Sequence, residues 1–399
     1  MKKVVFIGMF LSLAGMVMAQ SGKKFLNDAY GAYSNGYYDR AKTAIDKCIE
    51  YDDTKAEAKT WLYRGNIYLM IEYMKETKDS VLYKRLCSNC VETAYESYMK
   101  ARELDAQLVV TSMRIQTPKD GLKRCVEVLV GYSYKAIRDK KDEEAYKWAK
   151  MAYQADKSDT DAVFYAGYTA DLLKKYDEVK TYYTILTKTK GYRNINPCRR
   201  LAEIYQKEND TVKAVRTMRD GMAIYLQDTN FNVDYAVAYS IVMSWAGKSE
   251  EATEIMNKAE RIDPTNYVIL INYGSSLLQE KRYEEAEVRL KRAVELNPKD
   301  FIANYNLGNC YLQQAVDKFA KADKLPISES ELYEKLTNEG KALYETAKPY
   351  VEKAYELEPN DRETCIMLQQ IYMRIGTTTD GEKARAKEIG EKIKEAQKK

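Results

Sequence analysis

Residues 267–300 read YVILINYGSSLLQEKRYEEAEVRLKRAVELNPKD, and their apolar and small positions fall in two stripes. Leu270, Tyr273, Gly274 and Leu277 recur at i, i+3, i+4 and i+7, one face of an α-helix. Ala286, Leu290 and Ala293 make a second such stripe. Asn297-Pro298 stops the second helix, because the residue before a proline is pushed out of the α region. Gly274 and Ala286 are small where two antiparallel helices must approach. The segment predicts a helical hairpin. Neither helix can bury its stripe alone, so neighbouring hairpins must stack.

The same frame recurs along the chain. Pro264 precedes Pro298 by one period, and Tyr239, Met243, Ala252, Met256 and Ala259 fill the unit between 233 and 266. Leu201, Ala202, Tyr205, Ala214 and Met218 do so upstream, in a unit that is longer and lacks the closing proline. Ala166, Gly167, Val179 and Tyr183 mark a weaker unit, and Leu129, Tyr132, Ala145 and Ala149 another. Near the start come Phe25, Ala29, Ala41, Ile45 and Cys48. Downstream, Leu307, Gly308 and Tyr311 open a unit that closes with Ala347, Val351, Ala354 and Pro359, and Leu368 and Tyr372 begin a degenerate last one.

This pattern resembles the tetratricopeptide (TPR) repeat, a helix–turn–helix unit of about 34 residues. The resemblance implies an all-α fold: an α-solenoid of about nine stacked units forming a right-handed superhelix, with two lengthened hairpins. The units run approximately 22–55, 58–107, 126–159, 160–194, 195–232, 233–266, 267–300, 301–361 and 362–399, within a solenoid spanning 20–399. Two carry insertions. About 17 extra residues separate Tyr68 from Ala94, and about 27 separate Tyr311 from Ala347. Both insertions are rich in helix formers and are read as lengthened hairpin helices. Ser328-x-x-Glu331 has the form of a capping box before Leu332 and Tyr333. Pro349 should kink its helix or mark its start. Residues 106–117, with β-branched Val109, Val110 and Thr111, read as an irregular connection ending at Pro118.

Residues 1–19 stand outside the repeats. Lys2 and Lys3, an apolar run from Val4 to Val17 and the small-residue end Val17-Met18-Ala19 before Gln20 have the form of a secretory signal peptide. A retained anchor is the alternative, but the run falls short of the ~20 residues a span needs. No cysteine follows the cleavage site, which argues against a lipoprotein anchor. The leader looks bacterial and points to the periplasm, with peripheral association at the outer membrane or secretion as other destinations. No other apolar stretch is long enough to span a membrane, so the mature chain is expected to have no membrane span.

Charge changes the picture little. With Lys and Arg at 64 against 60 acids, the chain offers no basic stripe for nucleic acid. Absences narrow the chemistry more. There is no histidine, which removes Ser-His-Asp and Cys-His nucleophile systems and histidine metal sites. No glycine-rich phosphate loop appears. No enzyme activity, cofactor or metal is expected.

The seven cysteines leave at least one unpaired. Cys87-Ser88-Asn89-Cys90 is the one chemically suggestive spacing. It is open to three readings: a structural disulfide, a redox pair, or two small packed residues. It lacks the strand–turn–helix setting of a thioredoxin-type site.

Tyrosine is abundant, at 35. In TPR proteins, positions 2, 5, 9, 12 and 13 of the first helix line the concave face. Carried over, the resemblance implies a groove of Tyr30, Tyr33, Asn66, Tyr134, Phe164, Tyr168, Arg199, Trp245, Tyr305 and Asn309, with Leu62, Met70, Ile271, Leu278 and Gln313 on the same concave face. The competing reading is that these side chains pack against adjacent helices. Some TPR proteins grip a C-terminal carboxylate with basic residues at position 2, where this chain has Val268 and Ile302. An aromatic groove with amides suits a protein or peptide segment, so the expected function is an exported scaffold. A glycan- or peptidoglycan-binding module is the alternative, and a thiol-redox protein using Cys87 and Cys90 is a third. The sequence leaves the partner's identity and the oligomeric state open.

Overall fold

Most hairpins of this chain are punctuated in the same way. The first helix starts on a short polar side chain that accepts a backbone N–H from the first turn: Asp159 from Ala162 at 2.8 Å, Asn232 from Tyr235 at 2.8 Å, Asp300 from Ala303 at 2.7 Å and Asp361 from Thr364 at 2.8 Å. That helix ends where one residue takes a left-handed φ, as at Lys140, Lys174, Asn209, Gly247 and Lys281. The next backbone N–H then reaches back five residues, as from Lys248 to Met243 at 2.8 Å and from Arg282 to Leu277 at 2.9 Å. This left-handed cap satisfies otherwise orphaned carbonyls and turns the chain into the second helix.

The architecture is that of a computed structural model describing residues 22–77, 80–227 and 230–396. The leader predicted over 1–19 lies outside the described residues. Helices make up nearly all of the rest, so the all-α expectation holds. The chain divides into two compact units, Met1–Tyr192 and Arg193–Lys399.

In the first unit, four hairpins follow one another. They pair helix 22–34 with Tyr38–Cys48, Ala58–Met74 with Cys90–Leu104, Pro118–Arg138 with Asp142–Ala155, and Thr160–Leu172 with Tyr176–Lys188. In the second unit the pairs are Asn196–Lys207 with Thr211–Tyr225, Val233–Trp245 with Ser249–Ile262, Tyr267–Gln279 with Tyr283–Leu296, Phe301–Ala322 with Ser330–Leu357, and Arg362–Ile375 with Asp380–Ala396. The lengthened unit upstream of Val233 uses its extra residues in a two-residue antiparallel ladder, Leu226 opposite Phe231.

Packing within several hairpins follows one rule. A glycine at position 8 of the first helix receives the side chain at position 24 of the second. A Cβ on Gly274 would lie 2.6 Å from Leu290, one on Gly167 2.3 Å from the Tyr183 ring, and one on Gly308 2.5 Å from Val351. The residue meeting Gly274 is therefore Leu290, while Ala286 is buried alongside. The stripes read from the sequence form the core: Tyr239, Met243, Met256, Leu277, Leu290 and Leu307 are all buried in one cluster of the second unit.

Three local expectations need correction. The first insertion does not simply lengthen a hairpin: it adds a separate short helix, Ser80–Leu86, before Cys90–Leu104. The second does lengthen its hairpin, to helices of 22 and 28 residues. Ser328 and Glu331 form no capping box, because a 3-10 turn over Ile327–Glu329 feeds straight into Ser330, leaving Ser328 inside the turn. A capping box instead opens the last helix, where Glu382 N donates to Thr379 Oγ1 at 3.1 Å and Thr379 N to Glu382 Oε2 at 3.4 Å. Of the two expectations for Pro349, a helix start is excluded; the helix runs through it from Ser330. The helix expected to open near Val126 begins at Pro118, capped by Thr117, which accepts from Asp120 N at 3.0 Å. Proline suits that first position, where its missing N–H costs nothing.

Candidate functional site

In the second unit, successive first helices are tied side by side by small polar groups. Ser244 Oγ lies 3.3 Å from Ser276 Oγ, and Asn306 Nδ2 donates to Ser275 Oγ at 2.8 Å. Short side chains at these contacts bring the helices close, and the residues at positions 2, 5 and 9 stand clear of them. A cavity of about 600 Å³ lies among the first three of these helices, lined by Arg193, Asn194, Asn196 and Arg199, by Asn232, Asp234, Val237 and Ile241, and by Val268. Arg199, Asp234, Ile241 and Val268 are exposed. Ile241 is 49% exposed, and Ile302, at the equivalent of Val268 one repeat on, is 50% exposed. An apolar strip is thus left open beside a guanidinium pair and a carboxylate. That combination can seat an extended chain by side-chain burial and hold it in register by charge.

Of the ten residues the repeat frame places in a groove, Arg199 lines this cavity. Trp245, one turn beyond Ile241, is exposed. Tyr305 is half-buried, its ring 5.8 Å from Phe301, and burial pushes its phenol up. Asn309, also half-buried, accepts from Gln313 Nε2 at 3.3 Å.

The first unit differs. Tyr134 and Tyr168 are exposed, and rings link them: Tyr134 meets Tyr165 edge-on at 6.5 Å, and Phe164, half-buried, stacks on Tyr168 at 6.2 Å. Tyr30 and Tyr33 are half-buried against the core; Tyr30 stacks on Tyr63 at 5.6 Å, and burial raises the Tyr33 phenol. Asn66 is not a groove residue. It is fully buried, accepting from the Tyr98 hydroxyl at 2.7 Å and donating to the Ile115 carbonyl at 3.0 Å. The reason is the irregular connection 106–117. It folds back with Val110, Met113 and Ile115 buried, against the face that Asn66 would otherwise present. A cavity of about 730 Å³ remains at its edge, bounded by Met70, Tyr73, Arg114 and Arg124.

The aromatic criterion passed over Asp234, Val237 and Ile241, although the repeat frame places all three at groove positions. The signal was there; it was the residue type that drew no attention. Cys87 and Cys90 are free thiols, so the candidate disulfide is absent from the structure. Among the described residues no cluster of acids and cysteines could hold a metal, and no helix is long and apolar enough to cross a membrane.

A family model described as a TPR repeat matches residues 274–314. No curated protein matches the chain. Among solved structures, a tetratricopeptide repeat protein from Parabacteroides merdae is similar at 14% identity, over 66% of this chain and 98% of that one, with a TM-score of 0.42. MamA 41-end from Desulfovibrio magneticus RS-1 is similar at 17% identity, over 50% of this chain and 92% of that one, with a TM-score of 0.34. The matched segment, a tetratricopeptide repeat, lies inside a run of helical hairpins, and the fold is that of an all-α tetratricopeptide-repeat solenoid.

Proposed function

We propose that the chain is a binding scaffold that holds an extended segment of a protein partner along the first-helix face of its second unit. The observation that carries this is the cavity shared by three consecutive first helices, which leaves Ile241 and Val268 uncovered on the same face as Arg199 and Asp234. The lining holds no nucleophile beside a base, so the face is suited to binding. The preferred segment pairs two or more apolar side chains with an acidic residue for Arg193 and Arg199. The test is a peptide-library screen with the full chain, followed by the variant Arg199→Ala/Ile241→Ala. The selected peptides should bind the wild type and lose affinity for the folded variant. Equal affinity would overturn the reading.

Export is a proposal from the sequence. The basic start, apolar run and Ala19-Gln20 junction support cleavage by a signal peptidase. N-terminal sequencing of the protein from its native cells should return Gln20; a chain that still begins at Met1 would refute it.

A further inference from the structure

Six of the seven cysteines have thiols pushed up; Cys87 stands apart. Cys48 and Cys198 are raised to about 12 and Cys310 to about 11 by burial, which also raises Cys125 and Cys365. Cys87 lies in the short turn between Ser80–Leu86 and Cys90–Leu104, partly exposed, with Ser88 and Asn89 fully on the surface. Cys90 is the first residue of its helix and is completely buried. Its sulfur lies 3.4 Å from the Cys87 carbonyl.

The turn is held from beneath by a buried ion pair. Lys75 Nζ lies 3.0 Å from Glu72 Oε2 and donates to the Ser88 carbonyl at 3.2 Å. Glu72 Oε2 also accepts the N–H of Val91, next to Cys90, at 3.1 Å, and Tyr132 donates to the other oxygen. These bonds fix both ends of the Cys87–Cys90 turn to one helix exit. The Cys90 thiol, the Lys75 ammonium and the Asn89 backbone N–H all favour negative charge on the Cys87 sulfur, and they bring it down to about 7 against burial and the Glu72 carboxylate. Beside the turn is a cavity of about 260 Å³ bounded by Ser88, Asn89, Tyr132, Lys141 and Trp148.

We infer that Cys87 and Cys90 form a thiol–disulfide exchange site, with Cys87 as the attacking sulfur, Cys90 as the resolving one and a protein or small-molecule disulfide as the co-reactant. The Cys87 thiolate attacks one sulfur of R–S–S–R′; a mixed disulfide forms and R′–S⁻ leaves, taking up a proton. The Cys90 thiol then loses its proton and attacks the Cys87 sulfur. The Cys87–Cys90 disulfide forms and R–S⁻ leaves with the second proton. The chain loses two electrons and two protons, and the disulfide gains both as RSH and R′SH. Lys75 is a positioning residue that fixes the turn. This activity is independent of the groove in the second unit.

The test uses the reduced full chain. Under limiting iodoacetamide near neutral pH, peptide mapping should show Cys87 alkylated about tenfold or more faster than the other six cysteines. Glutathione redox buffers should interconvert the dithiol and a Cys87–Cys90 disulfide reversibly. Cys90→Ser, a near-isosteric change whose fold is checked by circular dichroism, should trap a mixed disulfide on Cys87. A trapped adduct with insulin identifies protein disulfides as co-reactants, and one with oxidised glutathione alone identifies small ones. A Cys87 no faster than the cysteines of the denatured chain would overturn the inference. So would a Cys87–Cys90 disulfide that resists dithiothreitol in the folded chain, or the absence of any adduct in Cys90→Ser.

Discussion

The Tyr98 hydroxyl donates to Asn66 Oδ1 at 2.7 Å, and the Tyr98 ring fills the space that Cβ atoms would need on both Gly65 and Gly121. One side chain on a second helix thereby touches the first helices of two successive repeats. Through Asn66 it also fastens the 106–117 connection, because the same amide donates to Ile115. The stacking of this unit is concentrated at that point.

Tyr98→Phe keeps the ring and removes the donor. Asn66 Oδ1 is then buried without a partner, which costs about 1–3 kcal/mol. Hydrogen exchange should quicken in 58–138 more than in the rest of the chain, since repeats unfold in contiguous blocks. Unchanged exchange in that segment would show that the amide finds another donor.

Two glycines separate crowding from backbone strain. Gly274→Ala places a Cβ 2.6 Å from Leu290 and should cost about 1–3 kcal/mol through overpacking. Gly247 has open space around it but a φ of 71°, so Gly247→Ala should cost about 1 kcal/mol from the left-handed conformation alone. Trimming Leu290 to Ala in the Gly274→Ala background should recover part of the crowding cost. Double-mutant denaturation curves that add strictly would contradict this coupling.

The open face of the second unit should tolerate change and still govern binding. Ile241→Asp with Val268→Asp introduces charge where both side chains are exposed, so helicity and melting should shift little. Peptide affinity should fall about tenfold or more, as expected when apolar anchors are lost. By contrast, Asn66→Ala should lower stability and leave the affinity of the second unit unchanged. Isothermal titration beside thermal melts distinguishes the two patterns.

Acid should loosen the last helix. Glu382 accepts from Lys348, from Thr378 N at 2.6 Å and from Thr378 Oγ1 at 3.1 Å, and these bonds hold its carboxyl down at about 2. The folded value lies below the ordinary 4.5, so the stabilisation is complete above that value and is lost as pH falls through about 2. Hydrogen-exchange protection of Asp380–Ala396 should therefore decline across that window. Glu382→Gln should show weaker protection already at neutral pH and a smaller decline in acid. Identical pH profiles in the two proteins would remove Glu382 from the account.

Much of the fold was legible because its signals are local. The 3.6-residue stripes, the small residue at position 8 and the proline after position 31 act within one hairpin, and Leu277, Leu290 and Leu307 are buried where the period put them. The left-handed turns were harder to see. Lys140, Lys174 and Lys281 take a conformation usually left to glycine or asparagine, imposed by two helices packing on either side. The capping box was sought at Ser328, where the sequence matches, and found at Thr379, where Lys348 from another helix also holds the glutamate.

The sequence by itself determined a chain of helical hairpins at one period and the residues that could face a groove. The tertiary structure decided which of them do. Asn66 is lost to the core because Ile115, 49 positions away along the chain, covers it. Ile241 and Val268 stay open in the second unit, where the connections between repeats are short and nothing described folds across them. Cys87 and Cys90 are adjacent by spacing alone, yet their asymmetry comes from Lys75 and Glu72 on the preceding helix and its exit and from Tyr132 on the next repeat. Period and propensity act over one or two turns, whereas burial and charge depend on what distant segments bring into contact.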